Sequence, residues 1–250
     1  MERKKQKSTS RAMYVPIAVL IVLFLTIFGT SVFLRVTQIE VIGASFHTDE
    51  EIISLSGIMP GDNILLIDRF GAQRRIESSL DYISDARVRR VLPDTVRIEV
   101  TERAAVAAIR YRGGYLIINS EGRVLQQEAA DSRGLIEIRG FEPVSPETGS
   151  ILEAATGAAA RLRAMIDLLG VFESDGIKEY VSRLDVSNVN NITFRYTFEN
   201  DWLFNVELGP ASDVLQNFRL LPGRIDVVIE RHPYGAAGTI NMPAQNWIPN

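Results

Sequence analysis

The sequence predicts an α+β protein: an N-terminal transmembrane helix, a small β-α-α-β-β unit, and a larger β-rich domain with packed helices. Three observations carry that reading. An uncharged run of 20 residues lies near the start. A strand-like segment, two helix signatures and a hairpin then follow within some 70 residues. Beyond residue 103, short alternating segments separated by turn residues predominate.

The uncharged run covers residues 15–34, VPIAVLIVLFLTIFGTSVFL, and includes Val15, Leu20, Leu25 and Leu34. As a helix at about 1.5 Å per residue it measures roughly 30 Å, the thickness of a bilayer hydrocarbon core. A helix packed on a soluble core would show a polar stripe, and this segment has none. Pro16 falls in the first turn, where a missing N–H costs little. A cleaved signal peptide is the competing reading. Its apolar region usually runs about 7–15 residues and ends at a small-x-small site. Here only Gly29-Thr30-Ser31 resembles such a site, and the apolar run then resumes. A retained anchor is expected, with the lipid bilayer as its partner.

Ahead of the run, Arg3, Lys4, Lys5, Lys7 and Arg11 stand against a single acid, Glu2. Basic residues of this kind stay on the cytoplasmic side. Residues 1–14 are therefore expected as a cytoplasmic tail, with the body from Arg35 on the opposite side of the membrane. That body holds 22 basic and 30 acidic residues, so it is a poor match to nucleic acid.

Composition narrows the function further. With 46% hydrophobic and 23% charged residues, the chain can bury a core. The absence of cysteine excludes a disulfide framework, a thiolate zinc site and a cysteine nucleophile. His47 and His232 are the only histidines, which leaves little for acid–base or metal chemistry.

The first folded unit begins with VTQIEVIG, residues 36–43, whose alternation and β-branched content predict a strand. Thr48-Asp49-Glu50-Glu51 has the capping-box form, and the acids suit the positive end of a helix dipole. Ile52, Ile53 and Leu55 supply its apolar side, and Gly57 is placed to end it. Pro60-Gly61-Asp62-Asn63 is turn chemistry. A second helix is expected from just after Asp68 to about Ser79, with Phe70 and Ile76 facing inward. Residues 86–91 and 96–101 then read as a hairpin around Leu92-Pro93-Asp94-Thr95. Ile39 and Val41 should pack against Ile53, Val88 and Val100, since a three-stranded sheet buries one face under two helices.

This run is similar to a POTRA domain, specifically that of the FtsQ/DivIB family of bacterial cell-division proteins. The residues that carry the resemblance are IEVIGASFHTDEEIISLSGIMPGDNILLID and ISDARVRRVLPDTVRIEVTERAAVAAI. The resemblance extends to the short basic tail and single membrane helix ahead of the domain. Two positions depart from the family pattern: Ala104 and Ala105 follow Glu102-Arg103 where proline is common, and Asn119-Ser120-Glu121-Gly122 replaces an Asp-led turn. The resemblance implies a POTRA domain at residues 35–103, a β domain at 104–243 and a short tail at 244–250.

Within that second domain, strands are expected at residues 105–110, 115–118, 123–126, 135–138, 181–186, 192–198 and 202–208. A helix is expected over about 151–169, rich in Ala, Leu and Arg and ending at Gly170. Residues 212–221 read as a capped helix that Pro222-Gly223 kinks or stops. Residues 225–230 fit either a strand or a helix face. The family's spacing favours a helix there, with a final strand at 238–242.

Chemical motifs are missing by inspection: G-x-S-x-G, H-E-x-x-H, a Walker loop and G-x-G-x-x-G. His47 reads as a solvent-facing loop residue before the helix cap, and His232 as another loop residue. Arg87, Arg89, Arg90 and Arg97 read as a solvated sheet face, with contact to anionic headgroups or an acidic partner as the functional alternative. Asn191-Ile192-Thr193 fits the glycosylation triplet but equally a turn into a strand.

The resemblance implies a non-enzymatic division scaffold that binds no cofactor and recruits septal proteins in the cell envelope. Its location would be the cytoplasmic membrane, single-pass, concentrated at the septum. It also implies partners: single-span coiled-coil divisome proteins (FtsB/DivIC- and FtsL-like) at the C-terminal region, and other septal proteins through the POTRA domain. A last strand at a sheet edge would offer unpaired N–H and C=O groups to a partner strand. Thr239, Ile240, Asn241 and Met242 are the candidate residues for that edge. The alternatives from other classes are a membrane-anchored envelope hydrolase using a carboxylate pair, and a POTRA-type outer-membrane assembly factor.

Overall fold

The structure, a computed structural model, describes residues 9–198, 202–231, 238–244 and 246–249. Arg3, Lys4, Lys5 and Lys7 of the basic head, His232 and the Asn200-Asp201 turn lie outside them. The chain divides into two compact units, Met1–Glu102 and Arg103–Asn250.

The first unit opens with helix α1 (Thr9–Phe33), which starts before the expected anchor and takes in nearly all of it. Val15, Leu20 and Leu25 are exposed along it. Over the described side chains, which within α1 form the run 14–26, no helix is long and apolar enough to cross a membrane.

After α1 come β1 (Gln38–Ile42), α2 (Asp49–Ser56), α3 (Arg69–Ser79), β2 (Ile83–Val91) and β3 (Thr95–Glu102). The three strands form one sheet in the order β1-β3-β2, with β1 parallel to β3 and β2 antiparallel to it. The helix signals work as their residues dictate. The Thr48 hydroxyl accepts from the Glu51 N–H, and Gly57 closes α2 at φ 67°, a left-handed geometry in which a Cβ would be strained. Asp68 caps α3 through the Gly71 N–H at 2.9 Å.

The core beneath this sheet gathers Val36, Ile52, Ile64, Ala72, Ile76, Ile83, Val88, Val96, Ile98 and Val100. Two expectations need correcting. Ile52, rather than Ile53, is the α2 residue in this core, with Ile39, Val41 and Leu55 packed at its margin. Phe70 is 64% exposed instead of facing inward. Ala72 and Ile76, four apart, set the buried face of α3, and a residue two positions before Ala72 falls on the other side of the helix.

The second unit is a nine-stranded sheet built from β4 (Ala107–Tyr111), β5 (Gly114–Ile118), β6 (Val124–Ala129), β7 (Ile136–Arg139), β8 (Val181–Asp185), β9 (Ile192–Phe198), β10 (Trp202–Gly209), β11 (Gly238–Asn241) and β12 (Asn246–Pro249). Its order is β12-β11-β10-β9-β8-β7-β4-β5-β6. Helix α4 (Ala159–Ser174) lies between β7 and β8 in sequence, while α5 (Val214–Arg219) and α6 (Leu221–Arg231) connect β10 to β11. All three bury side chains in one large core with the sheet. Phe172 of α4, Phe194 of β9 and Phe218 of α5 meet there at ring separations of 5.2–6.1 Å.

The expected strands of this unit all form, with ends shifted by a residue or a few. Residues 225–230 are helical, and α5 stops just before Pro222 as its position suggests. The helix expected over 151–169 starts later, at Ala159, and passes through Gly170 to Ser174. Residues 143–154 are instead drawn into tertiary backbone pairing: Val124 N–H donates to Ser150 O at 2.9 Å, Leu152 N–H to Gly122 O at 2.8 Å and Val144 N–H to Glu153 O at 3.1 Å. Those bonds override the helix propensity of the Leu-Glu-Ala-Ala stretch.

Candidate interaction surface

The nine-stranded sheet treats its two edges differently. The β6 edge is covered by the segment that follows β7. Val124 exchanges backbone bonds with Ser150 and Gly149 at 2.9 and 2.8 Å, and the Gln127 amide donates to Pro146 O at 2.7 Å. At the far edge, β12 pairs with β11 on its inner side, and among the described residues no backbone bond reaches its outer side.

This arrangement corrects the expected position of the open edge. Thr239, Ile240, Asn241 and Met242 do not receive a new strand, because β11 lies between β10 and β12. Thr239 faces Asn205 in β10 and Ile248 in β12, and Ile240 faces Val206 and Trp247. Ile240 and Met242 are buried in the main core, at 1% and 4% exposure. Asn241 fixes the turn: its Nδ2 donates to the Glu207 carboxylate at 2.5 Å, and its Oδ1 accepts from Ala244 N–H at 2.7 Å. The Met242 N–H donates to Glu207 O at 2.9 Å. Gly209 has φ 81°, and a Cβ there would sit 2.5 Å from Pro243 Cγ, so the C-terminal chain crosses where only glycine leaves room.

Residues 244–250, expected as a tail, thus include the edge strand itself. Ile248 on β12 is 53% exposed. A weak signal for β12 exists in the sequence, the Trp-Ile pair at 247–248, but prolines at 243 and 249 mask it.

On the first unit, the arginine cluster is an ion-paired sheet face. Arg87 meets Asp85 at 2.9 Å, Arg89 meets Glu99 at 3.3 Å, and Arg97 meets Glu40 across the β1–β3 pair at 3.0 Å. Arg90 turns the other way, donating to Ile67 O at 3.1 Å. These partly exposed pairs orient the strands more than they stabilise them.

His47 is not the solvent-facing residue expected. Its side chain is 13% exposed, its Nδ1 lies 2.9 Å from the Glu51 carboxylate, and its ring meets Phe46 and Tyr82 edge-on. Glu102, at the end of β3, ties this corner down by accepting from the Phe46 and His47 N–H groups at 3.1 and 3.5 Å. Burial works to raise the Glu102 pKa. The N–H donors of Ser45, Phe46 and His47 outweigh it, so the carboxyl stands below the ordinary glutamate value.

Carboxylate chemistry finds little support in the second unit. A wide cleft there is lined by Arg110, Glu137, Arg139, Glu142 and Arg161, among others. Burial raises the Glu137 pKa, but hydrogen bonds and charge from Arg139 and Arg183 win and hold it below the usual range. A general acid needs the opposite shift. Among the described residues no three His, Asp or Glu side chains gather as a metal site.

Residues 34–103 match the family model of the POTRA domain, FtsQ-type. This segment is an FtsQ-type POTRA domain. Curated relatives extend the likeness beyond the POTRA domain. Cell division protein DivIB of Clostridium botulinum is 25% identical over 77% of this chain and 75% of its own length. Cell division protein FtsQ of Syntrophotalea carbinolica is 31% identical over 64% of this chain and 56% of its own. Cell division protein FtsQ of Corynebacterium glutamicum is 27% identical over 54% and 62% respectively. The chain spans less than two thirds of the length of the first relatives it matches, from 62% down to 30%. The resemblance read from the POTRA residues therefore holds, and it covers much of the chain.

Proposed function

We propose that this chain is a non-enzymatic scaffold of bacterial cell division, which recruits and positions septal proteins in the envelope. The observation that carries the reading is an FtsQ-type POTRA domain followed by a second unit, with FtsQ and DivIB relatives aligning well beyond the POTRA residues. The mechanism is binding without bond chemistry. The uncharged run 15–34 would hold the protein as a single-pass anchor, with the basic head in the cytoplasm and both units outside.

Partner recognition fits the open edge of β12. An edge strand offers backbone donors and acceptors to an incoming strand, while side chains on alternate positions select which strand is accepted. Single-span coiled-coil divisome proteins of the FtsB/DivIC and FtsL kind are the partners proposed for it. Other septal proteins would use the POTRA domain.

The test is a fluorescent fusion of the full chain in dividing cells, paired with co-purification. The scaffold reading expects a band at the division site and co-purified single-span division proteins. Uniform label around the envelope, in cells that are visibly septating, would overturn it.

A further inference from the structure

We propose that the end of the POTRA domain next to α1 docks into the extracytoplasmic leaflet of the bilayer, through Met59, Leu65, Leu66, Phe70 and Leu92. The proposal rests on the anchor reading given above. It adds a second, peripheral membrane contact that fixes the domain's stance on the surface.

These five side chains are the large apolar groups that the first unit leaves outside its core at this end. Leu66 is 81% exposed, and Met59, Phe70 and Leu92 each exceed 60%. Exposed apolar surface gathered in one place marks an interaction site.

Their place in the fold names the occupant. Helix α1 ends at Phe33, and the next residues are bonded directly into the loop that carries Met59, Leu65 and Leu66. Ile64 N–H donates to Leu34 O at 2.9 Å, Val36 N–H to Asp62 O at 2.8 Å and Gly61 N–H to Val36 O at 2.7 Å. Thr37 N–H donates to Asp94 O at 2.8 Å, which brings in the turn bearing Leu92. The Arg90 guanidinium joins that hairpin to Ile67, beside Phe70. No linker separates the membrane exit from the patch. At no more than about 3.6 Å per residue and about 5.5 Å across the Leu34–Ile64 bond, the backbone of Leu65 lies within roughly 13 Å of the end of α1 and that of Leu66 within roughly 16 Å. The headgroup zone on one side of the hydrocarbon core is about 5–8 Å deep, and this short tether lets leucine side chains come down to the acyl boundary.

Charge around the patch balances. Arg35, Arg69 and Arg90 stand with Asp62, Asp68 and Asp94. The three carboxylates are engaged internally, by Met59 N–H at 2.9 Å, Gly71 N–H at 2.9 Å and the Thr37 hydroxyl at 2.6 Å. Docking is therefore apolar in origin and requires no anionic lipid.

The chain has no cysteine, so single-cysteine variants can be labelled without other changes. The experiment uses the full chain in phosphatidylcholine vesicles, with an environment-sensitive dye on Leu66→Cys. Ser79→Cys, exposed at the opposite end of α3, is the control, roughly 15 Å from Arg69 along the helix. The dye at Leu66→Cys should be blue-shifted and about threefold more quenched by headgroup-labelled lipid than at Ser79→Cys. Because a dye is itself apolar, Leu65→Glu is added to a chain labelled at Met59→Cys, where it should at least halve the quenching. Equal quenching at positions 66 and 79, in protein that resists alkaline extraction, overturns the docking and leaves the anchor standing. A blue shift without lipid quenching means the dye is buried against protein, in this chain or a second copy, and also overturns it. Release by alkali would instead sink the anchor reading and this proposal with it.

Discussion

Replacing Ile98 by alanine should cost the POTRA domain about 3–4 kcal/mol. Ile98 has no accessible surface and sits on the central strand β3, opposite Val41 on β1 and Val88 on β2. Removing three carbons forfeits about 2.4 kcal/mol at roughly 0.8 kcal/mol per buried methylene. Strand pairing on both sides restrains collapse, so the residual cavity adds roughly another 1 kcal/mol. A unit of some 70 residues holds only about 3–10 kcal/mol in all. The change should thus consume much of the domain's stability. Hydrogen exchange on the full chain in detergent isolates the effect. Amides of β1, β2 and β3 should exchange about 150- to 850-fold faster, while those of β9 and β10 in the other unit keep their protection. Ile98→Val should lose only about 1 kcal/mol. If the β1–β3 amides of the alanine variant exchange within about threefold of the parent, the packing argument is wrong.

Three further outcomes can be checked directly. The Glu102 pKa is lower in the folded chain than its unfolded value of about 4.3, so its contribution is complete above that pH and fades as pH falls through the folded value. Glu102→Gln should lower POTRA stability near neutrality and flatten the acid limb below about pH 4, read by unfolding at stepped pH; an unchanged acid limb would refute the role. Gly140→Ala should destabilise the second unit by about 2 kcal/mol or more, measured by denaturant unfolding. Gly140 has φ 78°, and a Cβ would lie 2.2 Å from Ser187 Cα, so β7 and β8 would have to part. Leu23→Arg, at the middle of the uncharged run, should weaken insertion by roughly 2.5–3.5 kcal/mol on translocon scales, visible as loss from the alkali-resistant membrane fraction.

Local signals are legible in the sequence, and long-range ones are not. The Thr48 and Asp68 caps, the Gly57 stop and the alternation of β2 and β3 depend on neighbours along the chain, and each appears where its residues require. Phe70 misled because it is large and apolar, whereas helix phase is set by Ala72 and Ile76. The start of α4 moved because residues 143–154 found backbone partners across the unit, which no window of sequence reports. His47 looked exposed as a polar residue in a loop. Glu102, 55 residues away, holds the His47 backbone, and Tyr82 packs beside the ring.

The C-terminal edge shows what such a miss does to a functional reading. Thr239 to Met242 do form the expected strand, but the next turn brings β12 over it, so the partner surface moves one strand outward. Substitutions at the two strands should therefore fail differently. Ile240 is a core residue at 1% exposure, paired on both sides, so Ile240→Pro should break the β10–β11–β12 ladder and unfold that end of the sheet. Its loss of binding would then be uninformative about the contact itself. Thr239 turns its backbone groups toward β12 and pairs with Ile248, so the outward N–H of the outer strand is that of Trp247, which proline removes without touching the β11–β12 bonds. Pull-down of a single-span division partner by the full chain in detergent separates the cases, with circular dichroism confirming the fold. Trp247→Pro should stay folded and lose most binding, while Trp247→Ala, which keeps the N–H, retains it. If folded Trp247→Pro binds as tightly as the parent, strand addition at β12 is wrong, and recognition must lie on a face of the sheet or on the POTRA domain.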